Sequence, residues 1–213
     1  MLNYNFYIFD CDGVILDSNQ IKTESFKETL SGYDNKLIDS FIDYHKKNGG
    51  ISRFVKFKYF CEILLKKKDN NLVNDLLKKF NLIVFSKLCN SNFIPGVISF
   101  IKLLKKNDKK IYVVSGAFEN ELKEVFVQKD IYQLFDGIHG SPIEKDIHTK
   151  NIISINRSKN GVFFGDSKID YEVATNNSLD FFFIKEKSEW IDFMNFNLTY
   201  IFDNFDCLKI DAL

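Results

Sequence analysis

The sequence predicts an α/β fold: a mostly parallel sheet with helices on both faces, interrupted after its first strand by an all-helical insertion. Three features lead there. The apolar run Phe6–Phe9 stops at Asp10-Cys11-Asp12-Gly13, which reads as a short buried strand meeting a turn. From Ile94 onward, apolar runs of strand length alternate with amphipathic stretches, the signature of strands separated by crossover helices. Between about Ser18 and Asn92 no good strand is found, and a stretch of that length cannot be an idle loop in a compact protein.

Taken in order, Ile21–Leu30 reads as a helix with apolar Ile21, Phe26 and Leu30 among charged residues, and Asp17 or Ser18 is placed to cap it. Helical patterns follow at Leu37–Lys47, Phe54–Lys67 and Leu72–Lys87, with a break at Gly49-Gly50. The alternating part predicts a helix from Pro95-Gly96 to Lys106, a strand Lys109–Val114, a helix Glu119–Lys129 and a short strand Gly137–Gly140. It continues with a helix Asp146–Asn156, a strand Gly161–Phe164, a short helix Tyr171–Asn176 and a strand Phe181–Ile184. Tyr200–Phe202 reads as an edge strand before a C-terminal tail.

Composition narrows the function. Lys+Arg and Asp+Glu both number 29 in the 213 residues, so no basic field exists to draw nucleic acid or a membrane surface. Phe is abundant at 23, with many Asn, Lys and Ile, so runs such as Lys66-Lys67-Lys68 read as solvated surface. Cys11, Cys61, Cys89 and Cys207 show no C-x-x-C spacing, which argues against zinc and for reduced thiols. No apolar run reaches membrane-spanning length, and the N-terminus lacks the pattern of a leader. A soluble, cytoplasmic protein is expected.

The chemistry gathers at strand ends. In an extended chain residues i and i+2 point the same way, so Asp10 and Asp12 project together from the C-terminal end of the first strand. That end of an open parallel sheet is where ligands bind. Two adjacent carboxylates need a cation or a shared proton, and Gly13 permits a tight turn beside a ligand. Two further strands end at Ser115-Gly116 and Gly165-Asp166, on the same edge. Ser115 and the following N–H groups suit phosphate oxygens, although Ser115 also reads as a plain turn residue. Asp166 and Asp170, at i and i+4, lie on one side of a helical turn and suit Mg²⁺; Asp170 alternatively caps that helix. Lys145 after the Gly140-Ser141-Pro142 turn is a candidate cation, with Lys150 as competitor.

Four segments in order, DCDGVILDS at Asp10–Ser18, VVSGA at Val113–Ala117, GSPIEK at Gly140–Lys145 and GDSKID at Gly165–Asp170, resemble the haloacid dehalogenase superfamily. The branch is that of phosphatases and β-phosphoglucomutases whose cap follows the first strand. The resemblance covers essentially the whole chain. It implies a Rossmann-like parallel-sheet core, residues 1–17 and 93–213, and a helical cap, residues 18–92. It implies Asp10 as nucleophile, Asp12 as general acid/base, and Ser115 and Lys145 as holders of the phosphoryl group, with Gly116 beside the substrate. Asp10, Asp12 through its backbone carbonyl, and Asp166 would bind Mg²⁺, supported by Asp170. Asp12 argues against a dehalogenase, which lacks it.

The expected function is Mg²⁺-dependent hydrolysis of a small phosphorylated metabolite, in particular a sugar phosphate. A phosphosugar mutase is the alternative, and a non-catalytic ligand-binding protein a third reading. Gly49-Gly50-Ile51-Ser52-Arg53 resembles the substrate-facing loop of β-phosphoglucomutases, so Arg53 is expected to meet the leaving group, or else to be a surface residue at a helix start. Lys22 stands where those mutases carry a His, a departure that counts against mutase activity while keeping a substrate-binding role.

Overall fold

The structure, a computed structural model, describes residues 3–208. Six parallel strands form one sheet in the order β3-β2-β1-β4-β5-β6. They are β1 (Phe6–Phe9), β2 (Lys110–Phe118), β3 (Gly137–Ser141), β4 (Gly161–Gly165), β5 (Asp180–Ile184) and β6 (Tyr200–Phe202). The edge strand expected at Tyr200–Phe202 is therefore present, and the tail beyond residue 208 lies outside the described residues.

Alternation along each strand makes two apolar layers. Tyr7, Phe9, Ile111, Val113 and Phe164 face one way, onto α5 (Val97–Lys106) and α6 (Glu119–Gln128). Phe6, Ile8, Tyr112, Val114 and Phe163 face the other, onto α7 (Lys145–Asn156) and α8 (Lys168–Asn176). The abundance of Phe has a use here. Phe9 stacks on Phe164 with ring centroids 4.8 Å apart, and Phe100 and Phe205 close around them.

Between β1 and β2 the chain forms α1 (Asn19–Thr29), α2 (Asn35–Lys47), α3 (Arg53–Tyr59) and α4 (Asn70–Cys89). They share a core of stacked and edge-on rings, with Phe26 and Phe80 4.2 Å apart and Phe57 5.3 Å from Phe26. The chain leaves and re-enters the sheet region side by side: the Asp17 amide donates to the Asn92 carbonyl at 2.9 Å, and Ile94 to Ile15 at 3.0 Å.

Some element ends differ from expectation. The helix expected over Phe54–Lys67 gives way at Phe60–Leu64 to a π-helical turn, which buries both Phe60 and Cys61 completely. Lys66 then takes a left-handed conformation (φ 55°) that ends it. The helix expected from Tyr171 starts at Lys168, because Ser167 and Asp170 form a reciprocal capping box. Lys145, expected in the turn before a helix, is the first residue of α7. Ser18 stands at the N-cap of α1, but its hydroxyl bonds Asp12 instead of the helix. The four cysteines are unpaired thiols, and no helix among the described residues is long and apolar enough to cross a membrane.

Phe164 is completely buried at the centre of this packing. Phe164→Ala is expected to lower the unfolding free energy by about 3–5 kcal/mol, read from urea titration of near-native fluorescence and circular dichroism. A loss under about 1 kcal/mol would mean that the ring cluster does not hold the sheet.

Candidate active site

Because every strand runs the same way, their C-terminal ends meet at one edge. The Asp10 amide donates to the Phe164 carbonyl at 2.9 Å, so the carboxylate leaves the sheet between β2 and β4. Asp166 follows β4 directly. Asp170 is carried in by the first turn of α8, where its Oδ2 accepts from the Ser167 hydroxyl at 2.6 Å. Lys145, from the start of α7, donates to Asp170 Oδ1 at 2.6 Å and stands 3.0 Å from Asp10 Oδ1. All four of these residues are buried.

Their electrostatics follow from that crowding. Burial, opposed by Lys145 and reinforced by Asp170 and Asp12, pushes the Asp10 carboxyl up to about 7. Burial, then Asp10 and Asp170, raise Asp166 well above the usual carboxylate range. Burial works against the Lys145 ammonium, yet Asp10 and Asp170 outweigh it and hold the proton firmly.

A divalent cation fits this donor set. Oxygens of Asp10, Asp166 and Asp170 lie within 4.8 Å of one another. Asp10 Oδ1 is buried and meets the Lys145 ammonium at 3.0 Å, a single charge that Asp10 shares with Asp170. Three buried carboxylates around one ammonium leave negative charge for a cation to balance. All-oxygen donors suit Mg²⁺. The Asp12 side chain is not part of this carboxylate group. It turns to Ser18, whose hydroxyl donates to Asp12 Oδ1 at 2.6 Å, and to Lys22, which forms a short ion pair with Oδ2. Burial raises the Asp12 carboxyl, but Lys22 and Ser18 outweigh it and leave it below its ordinary value. Gly13 has φ +74°, and a side chain there would collide with Asp166 and Asn19.

Ser115 is buried at the end of the regular part of β2, and its oxygen accepts from the Ala117 amide at 3.1 Å. That is the turn contact, and it leaves the hydroxyl hydrogen free to donate. Gly116 lies directly beneath the Gly49-Gly50 loop: any side chain on it would strike the Gly50 carbonyl. Above this floor is a cavity of about 580 Å³, lined below by Asp10, Asp12, Asn19, Gly116 and Asp166 and above by Lys22, His45, Arg53 and Lys56. That volume suits a small metabolite.

The two candidate lysines lie in different surroundings. Lys145 is in the carboxylate cluster, whereas Lys150 is exposed and pairs with Asp146 at 2.6 Å. Arg53 reaches the cavity wall, but its guanidinium is committed elsewhere. It makes two bonds to Glu121 on α6 (2.6 and 2.5 Å), one to Asn81 (2.5 Å), and lies over the Phe80 ring at 4.8 Å. With 6 % exposure it is not the solvated surface residue that a helix start suggested. The fork ties α3 to α6 at the edge of the cavity.

Several residues of this site carry no sequence signal of their own. Asn19 donates to Asp166 Oδ2 at 2.6 Å and to the Lys187 carbonyl at 2.9 Å. Glu121 reads as one more polar helix position. Lys56 and His45 read as exposed faces of α3 and α2, yet both are buried.

The haloacid dehalogenase-like hydrolase family matches residues 7–184. No curated protein matches the sequence. Solved structures resemble the fold closely at low identity. A predicted phosphoglycolate phosphatase from Haemophilus somnus has a TM-score of 0.78 and 19 % identity, covering 98 % of each chain. A β-phosphoglucomutase from Clostridium difficile has a TM-score of 0.77 and 18 % identity over 98 % of this chain and 94 % of its own. CbbY from Rhodobacter sphaeroides, in complex with phosphate, has a TM-score of 0.77 and 14 % identity over 97 % and 96 %.

Removing Lys145 strands buried carboxylates, so Lys145→Met is expected to destabilise the protein by about 3–5 kcal/mol, against less than about 1 kcal/mol for exposed Lys150→Met. Denaturant titration of both variants checks the ordering. Mg²⁺ should raise the melting temperature of the wild-type chain and a chelator reverse the rise. In Asp166→Asn the rise should be lost.

Proposed function

The chain belongs to the haloacid dehalogenase-like hydrolase family, and from that membership and the carboxylate geometry we propose that it hydrolyses a small phosphomonoester with Mg²⁺ as cofactor. The observation that carries the reading is the buried cluster of Asp10, Asp166 and Asp170 around Lys145, with Asp10 at the floor of a metabolite-sized cavity. Residues 18–92 act as a cap over a core of residues 1–17 and 93–213, a division that the paired crossing at Ile15–Asp17 and Asn92–Ile94 supports.

In this reading Asp10 attacks phosphorus and the bond to the leaving oxygen breaks, giving an aspartyl-phosphate. Asp12 supplies a proton to the departing alkoxide, then takes one from the water that attacks the aspartyl-phosphate and releases inorganic phosphate. Asp12 enters the first step protonated and regains its proton from the water in the second, and Lys22 pairs with the carboxylate that stands between the two steps. Ser115 and the Gly116 amide, at the end of β2, receive phosphoryl oxygens, and Lys145 balances their charge. Asp10, Asp166, Asp170 and the Asp12 backbone carbonyl would hold Mg²⁺, which supplies positive charge against the transferring group. The cap excludes bulk water and selects the leaving group. Polar cavity-lining side chains favour a polar alcohol, such as a sugar, on the ester.

Asp10→Asn should abolish phosphate release while the melting curve stays cooperative, because the amide is nearly isosteric and a poor nucleophile. Retained turnover, with deamidation excluded by mass spectrometry, would remove Asp10 from the role. Asp12→Asn should slow alkyl phosphates far more than aryl phosphates, whose leaving groups need no proton. Phosphorus NMR of the products decides between hydrolysis and mutase chemistry: free phosphate is expected, and a rearranged sugar phosphate without it would replace the hydrolase reading.

A further inference from the structure

The cations of the cavity wall can be sorted by their partners. Lys22 pairs with Asp12, Arg53 with Glu121, and Lys145 with Asp10 and Asp170. Lys46 and Lys168 lie at the rim with Glu189 and Glu172 at 3.9 and 3.7 Å, and Lys47 is exposed. Lys56 differs. It lines the cavity at 4 % exposure, and among the described residues no carboxylate comes within ion-pair distance of it. Its strong contact is with His45 Nδ1, at 2.7 Å.

That contact belongs to a chain with one consistent direction. An ammonium only donates, so His45 Nδ1 accepts and the ring proton sits on Nε2. Nε2 then donates to Thr23 Oγ1 at 3.0 Å, which leaves the Thr23 hydroxyl to donate to Glu189 Oε1 at 3.4 Å. Burial, and next Lys56, hold His45 neutral, as this arrangement requires. Thr23, His45 and Lys56 come from α1, α2 and α3, whereas Glu189 follows β5 on the sheet side. The chain is therefore complete only while the helical segment sits down on the core.

We propose that Lys56 is a specificity-determining residue that receives a second anionic group, carboxylate or phosphate, on the leaving group of the ester. The proposal rests on the phosphomonoester hydrolase reading above. The Thr23–His45–Lys56 chain orients the ammonium, and its anchoring on Glu189 couples that orientation to closure. Thr23, His45 and Glu189 are positioning residues. Burial, and next Lys22, lower the Lys56 ammonium to about 7. An arriving anion compensates both effects, so an anionic leaving group gains more here than a neutral one of the same size.

The test compares kcat/KM for phosphate release by the full-length chain with Mg²⁺, using ethyl phosphate, 2-phosphoglycolate and propane-1,3-diol bisphosphate. The wild-type chain should favour at least one anionic ester over ethyl phosphate by about tenfold or more, and which one it favours separates carboxylate from phosphate. Lys56→Met should cut that ratio by about tenfold, with Lys56→Arg retaining part of it. Thr23→Val, nearly isosteric, interrupts the chain and should raise KM for the anionic ester severalfold with little change in its kcat. A wild-type ratio of one or less overturns the proposal without any variant, which keeps it testable if Lys56→Met does not fold. A wild-type ratio preserved in folded Lys56→Met overturns it too. Phosphate release without anionic preference removes the Lys56 site alone, whereas no release from any of the three esters removes the hydrolase reading and this proposal with it.

Discussion

Lys145 stands between Asp10 and Asp170 where both are buried, and Asp166 adds a third carboxylate within the same few ångströms. One ammonium cannot compensate three carboxylates in a low dielectric, and burial first, then mutual repulsion, raises Asp10 and Asp166. Much of the surrounding structure serves to hold this unfavourable arrangement. The capping box fixes Asp170, the parallel ladder aims Asp10, and Asn19 steadies Asp166 from the neighbouring helix. Such a site has unspent affinity for a cation, and for the anionic group that a cation brings with it. That is the physical basis on which phosphoryl transfer is proposed here.

The second constraint is closeness between the helical segment and the sheet. Gly50 lies against Gly116 so tightly that neither could approach as well with a side chain on Gly116. Arg53 and Glu121 form a buried bidentate pair across the same junction. A buried ion pair of this kind is weak evidence for stability, but it is demanding in geometry. It therefore suits a contact that must define one closed position. The Asn19 bond to the Lys187 carbonyl and the Lys187–Asp17 ion pair at 2.9 Å act beside it, near the hinge of the insertion. In this closed position the floor of the cavity comes from the sheet edge and its roof from α1 to α3.

Lys22 gives this chain a character of its own. A histidine on this helix could exchange a proton with its neighbour near neutral pH, whereas a lysine keeps its charge and can only pair or donate. Here it draws the Asp12 carboxyl down, while burial pushes Asp10, two residues earlier, the opposite way. Two carboxylates with opposed environments can take different roles in one reaction.

The sequence by itself determined the sheet, the insertion and the strand-end residues. These depend on local pattern: Phe6–Phe9 and Gly161–Phe164 read as buried strands, and glycines and aspartates following such strands lie on one edge once the strands are parallel. The strand-end positions of Asp10, Asp166 and Ser115 were legible for that reason, whereas Lys145 was a candidate from the turn before it. What α2 and α3 turn toward the site was not legible, because burial of a polar residue depends on which element covers it. Lys56 and His45 look like surface residues until α1 and the Glu189 loop close over them. Arg53 was placed correctly along the chain, but its partner Glu121 is 68 residues away, and a pairing across that separation leaves no periodic trace. Only tertiary packing decided which charges found each other, since Coulomb attraction between side chains is set by distance in space and not by order in the chain.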